Sequence, residues 1–553
     1  MMWSLQVLVL LSLGCCQALA APFSNGTRVE AVQTTSGLVN GHEAPWPKNA
    51  GVAEYLGIPF AEPPLGPLRF AAPQTYKPRG PIPGAQFSPG CLQAFDLSDT
   101  NDLPNETGPH PSEFNKTDDK LQAYGSGMGG NFKTRKYSED CLALNIWSKP
   151  GSKGKAVMIW IYGGAFGSGD TAGLYYNGAR LAAEQDVIVA SINYRVSAFG
   201  FPGAPTLPDQ NVGLLDQRKG VEWLRDNIEK FGGDPKRMTL FGESAGGMSV
   251  DSYSYAWVKD PIINAFIPQS GTASMKAAAP KAANESSWYR LTNRLGCGKE
   301  KDGAKTVECM RSLPAATISK QVIEWSAAST NVLGLLTGFG PRPDGKIVFD
   351  DYAKRQQEGN FIKRPILIGN MDKEGALFPG MAEAAIAGYG KSKGEPTNSI
   401  MNLLLTLIDA YLGTPEPPGA TMSPLDRLAC GTAPGAAARR AAGVPAWRYR
   451  WFGEWPNLEI YPQIGAYHSM DVPLVFGATE RTSNVPDTPE EAAFVKNIMT
   501  AWATFAKDPE HGLEKLGWPI YDPKANTLIG IGYQNGGNVT MLDPSNYDKG
   551  CGN

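Results

Sequence analysis

Short continuous apolar runs, set apart by glycine and proline, recur along the chain. Leu142-Ala-Leu-Asn-Ile-Trp147, Ala156-Val-Met-Ile-Trp-Ile-Tyr162, the run opening at Val187-Ile-Val-Ala-Ser-Ile192, Met238-Thr-Leu-Phe241, Pro365-Ile-Leu-Ile-Gly369 and Ala446-Trp-Arg-Tyr-Arg-Trp451 each read as a strand. Runs of this length with little polar alternation fit strands covered on both faces, as in parallel sheets. Ahead of Met238, the residues Val221, Leu224, Ile228 and Phe231 recur at helical spacing, and Gly232-Gly233 with Asp234-Pro235 stop that helix. A later helix opens on a capping box, Thr488-Pro-Glu-Glu491, with proline at its first position and Phe494, Ile498, Ala501 and Phe505 as its apolar stripe. Alternation of strand, helix and strand predicts an α/β fold: a large, mostly parallel central sheet with helices on both faces. Ligands of such a sheet lie beyond the carboxyl ends of its strands.

Three stretches break the alternation. Tyr55-Leu-Gly-Ile-Pro-Phe-Ala-Glu-Pro-Pro-Leu-Gly-Pro-Leu-Arg-Phe70 is too rich in proline for a helix or a central strand, so an extended, turning surface segment is expected. Residues 91–141 are polar, carry the glycine run Gly125-Ser-Gly-Met-Gly-Gly130 and show no periodicity, the character of a long loop that serves as lid or binding wall. The stretch from Trp518-Pro-Ile-Tyr-Asp-Pro523 onward reads as a peripheral turn and strand.

Residues 1–20 have the form of a secretory signal, with an apolar run from Trp3 to Leu13 and Ala18-Leu-Ala20 as the cleavage site, although Lys and Arg are absent from its start. No linker interrupts the remainder, so residues 21–553 are expected to form a single domain. Sequons at Asn25, Asn105, Asn115, Asn284 and Asn538 agree with export to the cell exterior. No second apolar run is long enough for a membrane span and the C-terminus is polar. A formal charge of -3, with no block of like charge, gives no footprint for nucleic acid and favours a small neutral partner. Beyond the signal stand six cysteines, Cys91, Cys141, Cys297, Cys309, Cys430 and Cys551, an even set that suggests three bridges in an oxidising compartment. Cys297 with Cys309 is the easiest local pair, worth about 3 kcal/mol in the chain-entropy account. No cysteine pair has zinc-ligand spacing and the histidines are scattered, so neither a metal nor another cofactor is implied.

The candidate chemistry centres on Gly242-Glu-Ser-Ala-Gly246, which follows a strand and opens a helix. In a chain with 63 glycines a Gly-x-Ser-x-Gly motif alone is weak, and the strand-to-helix context is what carries it. A serine at such a turn holds its hydroxyl above the sheet, with the free N–H groups of the helix start beside it. Ser244 is therefore the candidate nucleophile. Gly163-Gly-Ala-Phe166 ends the preceding buried strand, and the N–H groups of Gly164, Ala165 and Ala245 would face an oxyanion formed at that serine. Only His468 and His511 follow Ser244; His511 lies in polar Lys507-Asp-Pro-Glu-His-Gly512, whereas His468 lies among small residues in Gly465-Ala-Tyr-His468 and is the candidate base. The acid should follow the strand at Pro365, where spacing leaves Asp372 and Glu374 both open.

These motifs, with Ser138-Glu-Asp-Cys-Leu-Ala-Leu-Asn-Ile-Trp147 and Asn211-Val-Gly-Leu-Leu-Asp-Gln-Arg218, resemble the type-B carboxylesterase/lipase family, the cholinesterase-like branch of the α/β hydrolases, and in particular its secreted fungal members. The resemblance implies an α/β-hydrolase fold and a serine carboxylesterase acting through a Ser-His-Glu triad on small or medium neutral esters. By the same resemblance Glu374, in Asp372-Lys-Glu-Gly375, is the acid and Ser270, in Gln269-Ser-Gly271, supports the triad. It also implies bridges Cys91 to Cys141, Cys297 to Cys309 and Cys430 to Cys551. Residues 91–141 contain no Trp, and Leu377 stands where cholinesterases carry an aromatic, which argues against choline esters. Ala165 replaces a glycine common in the family. The competing readings are a lipase for longer acylglycerols, which would want an apolar lid, and a catalytically silent binding protein, which would typically have lost the serine.

Overall fold

A computed structural model of the chain describes residues 29–94, 135–274, 287–328, 338–377, 426–460, 463–549 and 551. The signal-like segment, the sequons at Asn25, Asn105, Asn115 and Asn284, and most of the expected lid between Cys91 and Cys141 lie outside the described residues. Among the described residues the central sheet has eleven strands: β1 (His42–Glu43), β2 (Ala53–Pro59), β3 (Ala143–Ser148), β4 (Lys155–Ile161), β5 (Ile188–Ile192), β6 (Gly233–Glu243), β7 (Ala265–Gln269), β8 (Ile366–Met371), β9 (Ala446–Trp451), β10 (Leu528–Ile531) and β11 (Thr540–Leu542). Their spatial order is β11-β10-β9-β8-β7-β6-β4-β5-β3-β2-β1. Neighbours from β5 through β10 are all parallel, while β3, β2, β1 and β11 join antiparallel at the margins. Every residue of β5, β7 and β8 is buried, the burial their unbroken apolar runs require.

Helices cover both faces. α1 (Ala179–Gln185), α5 (Asp471–Phe476) and α6 (Pro489–Lys507) contact one another on one side; on the other, α2 (Val212–Asn227) and α3 (Ala245–Ala256) pack on β6, and α4 (Thr432–Ala441) on β8 and β9. The expected helix at Val221 begins at Val212 and tightens into a 3₁₀ turn, Ile228–Phe231, before Gly232 takes φ 89° and ends it. At the start of α6 the Thr488 hydroxyl accepts from the Glu491 N–H at 3.2 Å.

Two expectations are overturned. Within the stretch 55–70 expected to run over the surface, residues 55–59 belong instead to β2, paired antiparallel with β3, with Tyr55, Leu56 and Ile58 buried. The prolines of that stretch, Pro59, Pro63, Pro64 and Pro67, all stand at or beyond the strand's last residue, so they end it without interrupting its ladder. Nor is the tail wholly peripheral, because β10 is buried and parallel to β9, and only β11 beyond it forms the edge. Leu528-Ile-Gly-Ile531 is too short a run to reveal that insertion.

The strand order reverses around β4. From β4 the chain goes out to β5 on one side, then returns across to β6 on the other, so the loops leaving β4 and β6 diverge above adjacent carboxyl ends. Such a switch point leaves a crevice at the sheet's upper edge.

Candidate functional site

Ser244 stands at this crevice, between the end of β6 and the start of α3, with φ 59° and ψ -122°. A non-glycine residue in that region costs on the order of 1–3 kcal/mol and is held only by over-determined surroundings. Here the surroundings are backbone: the Ser244 N–H donates to the Gln269 carbonyl at 2.9 Å, and the Ser244 carbonyl accepts from the Met248 N–H at 2.8 Å. A Cβ on Gly242 would stand 2.6 Å from the Ile161 carbonyl oxygen, and one on Gly246 would overlap that same oxygen. The glycines of the motif are thus demanded by the closeness of β4.

The loop after β4 packs against the serine. A Cβ on Gly163 would stand 2.9 Å from Ser244 Cβ and 2.7 Å from the Glu243 carbonyl oxygen. Gly164 and Ala165 have positive φ, 111° and 52°, and the Gly164 carbonyl closes the turn by accepting from the N–H groups of Gly167 and Ser168, each at 3.0 Å. Among the described residues, the N–H groups of Gly164, Ala165 and Ala245 enter no hydrogen bond. Below the turn, Tyr162 and Tyr194 stack at 4.5 Å and each hydroxyl donates to the other's carbonyl at 2.9 Å, which fixes the end of β4.

His468 is brought in by the loop before α5 and is buried. That loop meets the segment after β8: the Lys373 N–H donates to the Ala466 carbonyl at 3.0 Å. His468 Nδ1 lies 2.6 Å from Glu374 Oε2, and Glu374 Oε1 accepts from the Met371 N–H at 2.9 Å. Of the two acids left open by spacing, Glu374 reaches the imidazole, whereas Asp372 turns to Arg450 Nε at 2.8 Å. His511 is exposed and lies 3.4 Å from Glu514. Ser270, next to Gln269, is buried with φ 50°, but no hydrogen bond joins its hydroxyl to Glu374 or His468, and Oγ has no partner among the described residues.

Behind these residues is a buried polar network that the sequence reading missed. His468 Nε2 lies 3.1 Å from Glu243 Oε1, and the Ser469 hydroxyl donates to that same oxygen at 2.6 Å. Gln269 donates to Asp471 at 2.7 Å and accepts from Trp502 Nε1 at 3.2 Å. A glutamate inside an apolar strand was the available signal, since a charge there must find partners. Burial raises the Glu243 carboxyl to about 7, against the nearby imidazole and aided by Asp471; burial likewise lifts Asp471 to about 6. For His468, burial disfavours the cation, but the charges of Glu243 and then Glu374 outweigh it and raise the imidazole to about 9.

The cysteines pair as Cys91 with Cys141, Cys297 with Cys309 and Cys430 with Cys551. Asn538 is exposed, and Leu377 is buried beyond Glu374. Among the described residues, no group of three His, Cys, Asp or Glu side chains could hold a metal ion, and no helix is long and apolar enough to cross a membrane.

The sheet, its switch point and the strained serine above it are those of an α/β hydrolase. Solved structures described as PNB esterases superpose on it, one thermophilic member with a TM-score of 0.69 at 25% identity, over 95% of this chain and 100% of its own. The carboxylesterase family model matches residues 28–407, and the chain belongs to that family. It is a serine carboxylic ester hydrolase. Relatives include a secreted lipase of Gibberella zeae, 32% identical over 91% of this chain and 90% of that protein, and a chlorogenic acid esterase of Aspergillus niger, 31% identical over 96% and 95%. An acetylcholinesterase of Bungarus fasciatus is 30% identical over 94% of this chain and 84% of its own.

Proposed function

We propose that Ser244, His468 and Glu374 act as nucleophile, base and orienting acid in the hydrolysis of small or medium neutral carboxylic esters. The observation that carries this reading is the 2.6 Å contact of His468 Nδ1 with Glu374, which turns Nε2 toward the residue next to Ser244. Ser244 loses its proton to His468 as it attacks the ester carbonyl, and Glu374 stabilises the imidazolium. The tetrahedral oxyanion is held by the N–H groups of Gly164, Ala165 and Ala245, which meet no other acceptor among the described residues. The imidazolium then protonates the leaving alcohol, leaving an acyl-enzyme, and water activated by the same histidine releases the acid. Ser270 is proposed to support the triad, on the resemblance of Gln269-Ser-Gly271 to the family motif. The disulfides and the signal-like start support secretion as an extracellular glycoprotein, with Asn538 an exposed acceptor.

Ser244→Ala, expressed as the folded protein, is expected to lose turnover of p-nitrophenyl acetate by at least about 10⁴-fold and to resist labelling by an organophosphate. Retained labelling would remove Ser244 from the mechanism. A panel of p-nitrophenyl esters from acetyl to palmitoyl beside emulsified triglyceride tests the acyl range: faster turnover of the emulsion would favour the lipase reading, which the name of the Gibberella relative also suggests.

A further inference from the structure

At the opposite end of the sheet from Ser244, the amino ends of β6, β7 and β8 and the carboxyl end of α6 enclose a cleft of about 270 Å³. Its walls carry Lys236 and Arg237 from β6, Arg364 from just before β8, and Lys507 from the last turn of α6. Among the described residues, Lys236, Arg364 and Lys507 form no ion pair, and Arg237 donates to the backbone carbonyls of Gly154 and Lys507, each at 3.0 Å. Among the described residues, four cations therefore line the cleft with no carboxylate at ion-pair distance, although the charge of Asp186 reaches Lys507. Two acids also line it, but Asp508 is already bonded to Lys515 Nζ at 2.6 Å, leaving Glu510 alone to offset the four. In a protein whose formal charge is -3, such a local surplus is a departure from the surface average.

We propose that this basal cleft binds a multiply charged oxyanion, a phosphate or sulfate group, either free or carried on a polymer. Arg364 and Lys236, which both line the cleft and form no ion pair among the described residues, would supply the direct contacts, a guanidinium offering paired N–H donors and an ammonium a mobile point charge. Arg237, pinned by its two carbonyl bonds, contributes fixed positive charge. Burial, more than the opposing charge of Asp186 or the smaller effects of Lys155, Arg237 and Lys149, holds the Lys507 ammonium below its ordinary range. The cleft is separated from Ser244 by the length of β6, so occupancy leaves the ester chemistry in place.

The test is calorimetric titration of the full chain with sodium phosphate and with sodium sulfate at constant ionic strength, chloride serving as the control. Saturable binding of phosphate or sulfate is expected, weakened at least about 10-fold in Lys236→Ala/Arg364→Ala, with p-nitrophenyl acetate turnover of that variant unchanged. Retention on a heparin column, eluted by free sulfate and lost in the same variant, would identify a polymer-borne group as the ligand; binding of the free ions without retention would identify the free anion. Heat no larger than that of chloride together with no retention, or binding untouched by the double substitution, would overturn the proposal.

Discussion

Nε2 of His468 lies 3.1 Å from Oε1 of Glu243, the residue that immediately precedes Ser244. The imidazole is therefore held between two carboxylates, Glu374 on Nδ1 and Glu243 on Nε2, and their charges raise it to about 9 against the opposing effect of burial. Esterase action needs the neutral base, so kcat/KM should rise with pH as the imidazolium loses its proton. Glu243→Gln removes one of the two charges, and the rise should then occur at least about one pH unit lower. Since the cluster shares protons, the limb belongs to the group as a whole. A pH profile with p-nitrophenyl acetate checks this, and an unmoved limb would show that Glu243 exerts no control over His468.

Glu491, buried at the start of α6, gives the opposite kind of pH effect, on stability instead of rate. Burial first, and Asp487 second, raise its carboxyl to about 7. A raised carboxyl contributes stability below its unfolded value near 4 that is lost as pH climbs through 7. Glu491→Gln should thus raise the unfolding free energy at pH 8 by on the order of 2 kcal/mol and change little at pH 4. Denaturant melts at the two pH values measure it; equal effects at both would refute the assignment.

Gly246→Ala should abolish ester turnover, because its new Cβ would overlap the Ile161 carbonyl oxygen, a backbone atom fixed by the pairing of β4 with β6. Gly443→Ala is a control: no atom lies within 4 Å of its Cβ, although its φ of 74° strains the substitution, so a cost of about 1 kcal/mol with activity intact is expected. Activity assays beside circular dichroism separate the two outcomes, and an active Gly246→Ala enzyme would contradict the described packing.

Arg439 on α4 and Asp251 on α3 form a buried ion pair at 2.9 Å, and Arg439 also donates to the hydroxyls of Tyr255 and Ser254. Arg439→Met leaves Asp251 as an uncompensated buried charge, at a cost of about 3–5 kcal/mol. Thermal unfolding should fall accordingly. Arg439→Met/Asp251→Asn should recover part of the loss, and no recovery would place the cost in packing alone.

Much of this protein follows from local sequence. The apolar runs at Ala156 and Val187 could be nothing but strands covered on both sides, since that length of unrelieved hydrophobic chain has no solvent face to offer. The helix at Thr488 carried its own start signal, and the glycines around Ser244 announced a turn too tight for side chains. In residues 55–70 local composition misleads, because prolines that bound a strand look the same in sequence as prolines within one. The choice between Asp372 and Glu374 was beyond the sequence read alone: two carboxylates two residues apart look alike until the loop after β8 meets the loop carrying His468 and turns one toward the imidazole and the other toward Arg450. Glu243 shows the same limit from the other side. Its place in the motif was plain, but its proton affinity depends on Asp471 and His468, more than 220 residues away along the chain, and only their convergence under one sheet edge sets it. Charges act through space, so a chain can declare which residues are present, and the fold alone determines which of them share a proton.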